Sequence, residues 1–264
     1  MIAWYSRAIE LDGNYAWAYM GRGIALTYTG HVEGAMRDSN RAIALDPSLP
    51  GSYTARARVW VQQRVWEKAV EDFTVAIDHC PGYTDAYLMR AACDKYPGAL
   101  HDLNTYIDIL PGCATGYERR AWCLIGKGDY DGALRDANRV VQICLDSISY
   151  ALRGNVYVRM GQYDVALQDL NAAIALDPNN VNAIESRIQI WWAKKDWPNA
   201  VSDLNKEMTL RPNDPRVYNS RALVFIQMKS YDKAWEDVHT LQKLQMKVDD
   251  GLLRLLKKES GRDE

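Results

Sequence analysis

Residues 150–178 read YALRGNVYVRMGQYDVALQDLNAAIALDP. Tyr150, Gly154, Tyr157 and Val158 recur at helical spacing, which puts them on one helical face. Gly161-Gln162-Tyr163 interrupts that face as a short turn. A second set, Ala166, Leu167, Leu170, Ala173, Ile174 and Leu176, resumes the spacing. Asp177-Pro178 closes it, because proline has no N–H with which to continue the helical ladder. The stretch is a helical hairpin with an apolar face on each arm.

This hairpin is one of seven. An Arg series (Arg22, Arg56, Arg90, Arg120, Arg153, Arg187, Arg221) advances in steps of 34, 34, 30, 33, 34 and 34. An Asp series (Asp38, Asp72, Asp102, Asp136, Asp169, Asp203, Asp237) and an Ala series (Ala35, Ala69, Ala99, Ala133, Ala166, Ala200, Ala234) follow the same beat. A fixed period in this range marks stacked units, each unable to bury its apolar face alone. Pro47, Pro81, Pro111, Pro178 and Pro212 end the second helix of their units.

In the second unit Tyr53, Ala57, Trp60, Ala69, Phe73, Ala76 and Pro81 stand where the tetratricopeptide repeat family places its aromatic, small and proline positions. The chain resembles that family over seven units. The resemblance implies an all-α fold, an α-solenoid coiled as a right-handed superhelix of stacked antiparallel helical hairpins. It divides the chain into a partial repeat at 1–15 (second helix only, with Arg7-Ala8-Ile9-Glu10-Leu11-Asp12), seven units at 16–248, and a capping helix and tail at 249–264. Starting in mid-hairpin leaves an apolar helix face uncovered, so a fragment of a longer protein is expected. Leu252, Leu253, Leu255 and Leu256 suit a cap over the seventh unit.

Three departures from the pattern stand out. Arg90 and Asp102 are only twelve residues apart instead of sixteen, so the third hairpin loses about one helical turn around Cys93-Asp94-Lys95-Tyr96-Pro97, and a notch or change of curvature is expected there. The fourth unit has Leu145 in place of its proline. The sixth has Ile188 and Glu207 where the family prefers small residues, so repacking or a slipped register is expected over 188–207.

Without homologues, the repeats serve as their own control. The Arg and Asp of every unit belong to the scaffold, pairing within a unit or across to the next. Residues that vary from unit to unit are the candidates for recognition. The resemblance implies a concave groove lined by the first helices, and its inward positions fall on Trp17, Met20, Ile24 and Tyr28, then Thr54, Arg58 and Gln62. They continue at Glu118 and Trp122, Asn155 and Arg159, Glu185, Gln189 and Trp192, and Asn219 and Leu223. Trp60, Trp66, Trp191, Trp197 and Trp235 read as packing residues. One subgroup of the family grips the C-terminal carboxylates of heat-shock chaperones with a Lys/Asn set. No three consecutive units here hold that set, since Ala151 stands where the Lys before Asn155 belongs.

Composition narrows the function. The 32 basic and 34 acidic residues are interspersed, leaving a net charge of −2 and no basic footprint for a nucleic-acid backbone. No apolar run approaches the ~18 residues of a membrane span, and no signal peptide is visible. Five cysteines without a CxxC read as reduced thiols in the cytoplasm or nucleus, with no metal site. His31, His79, His101 and His239 are scattered, and no Ser/His/Asp order, phosphate loop or HExxH appears. The sequence therefore reads as a non-enzymatic scaffold without cofactor, binding a peptide or extended segment of another protein in the groove. The alternatives are homo-oligomerisation through the N-terminal helix face and service as the targeting arm of a larger enzyme.

Overall fold

A computed structural model describes residues 1–93 and 97–262. Within them the chain is a succession of helices with no strand: α1 (Ile2–Leu11), then first and second helices in alternation. These are α2 (Ala16–Tyr28) and α3 (Val32–Leu45), α4 (Pro50–Gln62) and α5 (Trp66–His79), and α6 (Thr84–Ala91) and α7 (Ala99–Ile109). There follow α8 (Ala114–Lys127) and α9 (Tyr130–Ile143), α10 (Ser147–Arg159) and α11 (Tyr163–Leu176), and α12 (Val181–Lys194) and α13 (Trp197–Leu210). Last come α14 (Pro215–Gln227), α15 (Tyr231–Lys243) and α16 (Asp250–Ser260). No helix among the described residues is long and apolar enough to cross a membrane. The chain forms two compact units, Met1–Cys123 and Leu124–Glu264, divided within α8. Each is an α-solenoid segment in which a first helix packs on its own second helix and on the next pair.

The hairpin tips share one device. Gly30, Arg64, Gly128, Gly161, Lys195 and Lys229 all hold positive φ, between 56° and 79°. In each case the N–H of the following residue bonds a carbonyl five residues back, as in His31 to Leu26, Val65 to Trp60 and Asp196 to Trp191. This left-handed cap satisfies carbonyls that the ending helix leaves free. Close approach of the two arms relies on small residues. Ala35, Ala69, Ala133, Ala166, Ala200 and Ala234 are all fully buried. A Cβ on Gly154 would lie 2.7 Å from Leu170 Cδ2, so α10 and α11 meet where an added methyl would have to displace the buried Leu170 side chain.

Proline is not needed to stop a second helix. α9 ends at Ile143 despite Leu145, because Asp146 accepts the Ser149 N–H and Ser149 Oγ accepts the Asp146 N–H, a reciprocal cap that starts α10. In the third hairpin α6 is eight residues long, against thirteen for α4. The shortening centred on Cys93 to Pro97 lies partly outside the described residues. Arg90 nevertheless reaches Asp102 with two hydrogen bonds of 2.8 and 2.7 Å, so loss of about one turn keeps the paired faces in phase. The sixth hairpin also keeps its register: Arg187 is bidentate to Asp203, and Ile188 is buried beside Ile184, Ala200 and Leu204.

The recurring charges act both within a hairpin and between hairpins. Arg22, Arg56, Arg90, Arg153, Arg187 and Arg221 each donate Nε and Nη2 to the two carboxylate oxygens of the Asp in their own hairpin. Nη1 turns to the preceding second helix, where Ser6, Asn40, Thr74, Asn104, Asn138, Asn171 and Asn205 accept from Arg22, Arg56, Arg90, Arg120, Arg153, Arg187 and Arg221. The planar guanidinium fork thus locks hairpin geometry and stacking register with one side chain. The Asp residues of this ladder are buried, Asp102 completely. Removing one partner of such a pair costs roughly 3–5 kcal/mol, because the other charge stays buried without its neutraliser.

Candidate interaction surface

In the first unit α2 carries Trp17, Met20, Ile24 and Tyr28 along one stripe. Trp17 is 54% and Tyr28 76% exposed. Ile24 is half-buried, and Met20 packs flush on the first turn of α4, its Sδ 2.4 Å from where a Cβ on Gly51 would stand. Arg58 of α4 donates from Nη1 to the Tyr28 hydroxyl at 3.0 Å, with its guanidinium 5.9 Å from the ring centre. Its Nε is buried without a hydrogen-bond partner among the described residues. Thr54 on the same helix is buried and donates from Oγ1 to Pro50 O at 3.1 Å, and burial holds the Tyr83 hydroxyl above the usual tyrosine range. Gln62 is exposed and Glu118 half-buried. Trp122, 41% exposed, lines a cavity of about 340 Å³ with Leu88, Ala92, Leu103, Arg119 and Cys123, beside the shortened third hairpin.

In the second unit the candidates separate. Asn155 is buried, donates from Nδ2 to Ser186 Oγ at 3.0 Å and among the described residues leaves Oδ1 without a partner, so it ties α10 to α12. Arg159 is exposed. Trp192 is half-buried and meets Trp197 edge-on, ring centres 5.2 Å apart. Asn219 Oδ1 accepts the N–H of Asp249, which caps α16, and Leu223 packs into the cluster that buries Leu252 and Leu256. These two face the C-terminal helix.

Glu185 and Gln189 do come together. They line a cavity of about 260 Å³ with Ile188, Leu204, Glu207, Asp214, Arg216, Val217 and Ser220. Arg211 Nη1 donates to Glu185 Oε1 at 2.6 Å and stands 3.8 Å from Glu207 Oε1. Glu207 is only 6% exposed, and burial, then the neighbouring Glu185 charge, pushes its carboxyl up to about 7. Across the cavity Arg216 holds the Asp214 carboxyl below its usual range. Sequence reasoning treated Glu207 as a misfit and missed its partners. The signal was present, since the equivalent residues of the other units, Ala42, Ala76, Tyr106, Val140, Ala173 and Leu241, are all apolar or aromatic. Among the described residues no group of three His, Cys, Asp or Glu side chains is placed to hold a metal ion.

A family model described as the TPR repeat matches residues 154–185. Tetratricopeptide repeat protein 6 of Homo sapiens is 25% identical over 194 residues, 70% of this chain and 37% of that protein. Hsp70-Hsp90 organizing protein 3 of Arabidopsis thaliana is 29% identical over 77 residues, 29% of this chain and 14% of that protein. The chain spans well under half the length of these two relatives. A solved tetratricopeptide repeat protein from Parabacteroides merdae matches in fold with a TM-score of 0.70 at 17% identity, over 94% of this chain and 99% of that one.

Proposed function

Because the chain belongs to the tetratricopeptide repeat family, we propose that it is a non-catalytic interaction scaffold that holds a peptide or extended protein segment against the faces of its first helices. The observation that carries this reading is the set of large aromatics left exposed on first helices of the compact unit Met1–Cys123: Trp17 and Tyr28 on α2 and Trp122 on α8. Tyr28 is braced by Arg58 rather than packed into the core. Aromatic rings of this kind supply contact area at low entropic cost, and Trp, Tyr and Arg dominate binding hot spots. The lack of a chaperone-tail clamp directs the reading away from C-terminal carboxylates as ligand. Burial pushes the Cys93 thiol up to about 11, away from the thiolate form that a nucleophile needs. The free thiols suit a reducing setting, cytoplasmic or nuclear.

A photo-crosslinking amino acid placed at Trp17 or Trp122 tests the surface against one placed at Arg37, exposed on a second helix. Crosslinks to partner peptides selected from a display library are expected at the first two sites and not at the third. Equal labelling at all three would defeat the reading. A second reading, self-association, is favoured by α1, which buries no residue and leaves Trp4 81% and Leu11 75% exposed. Sedimentation that gives a monomer for both the parent chain and Trp4→Lys at high concentration would remove it.

A further inference from the structure

The pocket between α12, α13 and α14 holds an unbalanced charge. Glu185 and Glu207 share one guanidinium, Arg211, while Asp214 is matched by Arg216. The sum over these five groups is −1. Among the described residues the Glu207 carboxyl has its nearest cation 3.8 Å away, and the group closest to it is the carboxyl of Glu185, which raises its affinity for a proton both by charge and by hydrogen bonding. A carboxylate more than nine-tenths buried cannot stand ionised in that state without cost, so it takes up a proton or gains a cation. The cavity is open and about 260 Å³ in size, room for several water-sized volumes of ~30 Å³, and Gln189 and Ser220 line it with further hydrogen-bonding groups.

We propose that this pocket receives a basic side chain, the ammonium of a lysine or the guanidinium of an arginine on an extended partner segment, in exchange for the proton otherwise held between Glu185 and Glu207. The inference rests on the reading of first-helix faces as the binding surface and names the chemistry recognised at one point of it. Charge complementarity selects the occupant: a carboxylate or phosphate would meet two acidic groups, and an apolar group would leave the pocket charge unmatched. Binding releases one proton to solvent. The groups that face Glu207 are Glu185 from α12, Arg211 from the end of α13, Asp214 from the following turn and Arg216 from α14. Because burial and the Glu185 charge push the Glu207 carboxyl up to about 7, affinity for a lysine-containing peptide is expected to rise about tenfold between pH 6 and pH 8.

The test is ¹³C NMR of the glutamate side-chain carboxyls in the full chain, with the Glu207 signal identified by its loss in Glu207→Gln. n-Butylammonium chloride at ~10 times its dissociation constant is expected to lower the Glu207 midpoint by about one pH unit, a tenfold linkage effect. Tetramethylammonium chloride at the same concentration, which carries the charge without an N–H, is expected to leave it in place. An unmoved midpoint with n-butylammonium, or an equal shift with both salts, overturns the proposal. The measurement needs no partner peptide. Crosslinking at Trp17 and Trp122 with an unmoved midpoint sinks this inference alone, whereas a moved midpoint without crosslinks sinks the scaffold reading on which it builds.

Discussion

The second hairpin, α4 and α5, and the sixth, α12 and α13, are built on the same frame and differ at positions that vary from hairpin to hairpin. Both have the bidentate pair (Arg56–Asp72, Arg187–Asp203), the bond back to an Asn of the preceding second helix (Asn40, Asn171), and equivalent tryptophans (Trp60 and Trp66, Trp191 and Trp197). Where the second hairpin has Thr54, Ala76 and Cys80, the sixth has Glu185, Glu207 and Arg211. Where the second has Ala57 against Phe73, the sixth has Ile188 against Leu204, so bulk moves from one arm to the other while the core stays filled. A scaffold fixed by directional guanidinium bonds can exchange its inner chemistry without losing register.

The comparison is sharpened most by breaking the pairs. Asp203 accepts from Arg187 twice and from Trp191 Nε1 at 2.8 Å, whereas among the described residues Asp72 accepts from Arg56 alone. Asp203→Ala is expected to cost roughly 3–5 kcal/mol in urea unfolding, and Asp72→Ala about 1 kcal/mol less, for the indole bond it never had. Equal losses would show that the indole contributes nothing.

A smaller effect separates the hairpins by pH. The Glu207 carboxyl is held up at about 7 in the fold, above the ~4.3 of an unfolded glutamate. The native state therefore binds more protons than the unfolded state between these values. The associated stability is complete at the acid side and is lost as pH rises through 7, by roughly 1–3 kcal/mol. Ala76, at the equivalent place, contributes no such slope. Unfolding curves at pH 5.5 and 8 should converge in Glu207→Gln, and persistence of the slope in that variant would assign it to other groups.

The smallest effect should be the same in both hairpins. Arg64 and Lys195 occupy the tip in left-handed conformation, with φ of 60° and 56°. Replacement by glycine is expected to raise stability by roughly 0.5–1 kcal/mol at each site, since a Cβ is strained there. Unequal gains in thermal melts would mean that the two tips are not the shared frame they resemble.

Much of this was legible in the chain. The Arg–Asp spacing announced a pair in every hairpin, and the prolines located helix ends, although α9 shows that the reciprocal Asp146–Ser149 cap serves as well. The Asn and Thr series two residues after the first six Asp (Asn40, Thr74, Asn104, Asn138, Asn171, Asn205) was equally periodic, yet its meaning depended on which way Nη1 turns. The proposed recognition surface was less legible. Asn155 and Asn219 share helix faces with residues that reach solvent, but one is bound to Ser186 and the other to the start of α16. Those neighbours are 31 and 30 residues distant in the chain, beyond the reach of a helical spacing argument.

The sequence by itself determined the hairpins, their number and their phase, because period and spacing follow from the fixed geometry of the helix and are written locally. Only the tertiary structure decided which of the variable side chains stay in water, which are used up in packing, and that Glu207 meets Glu185 over one shared arginine. Burial and charge balance depend on what the neighbouring hairpins bring to the same volume of space, and no single hairpin carries that information.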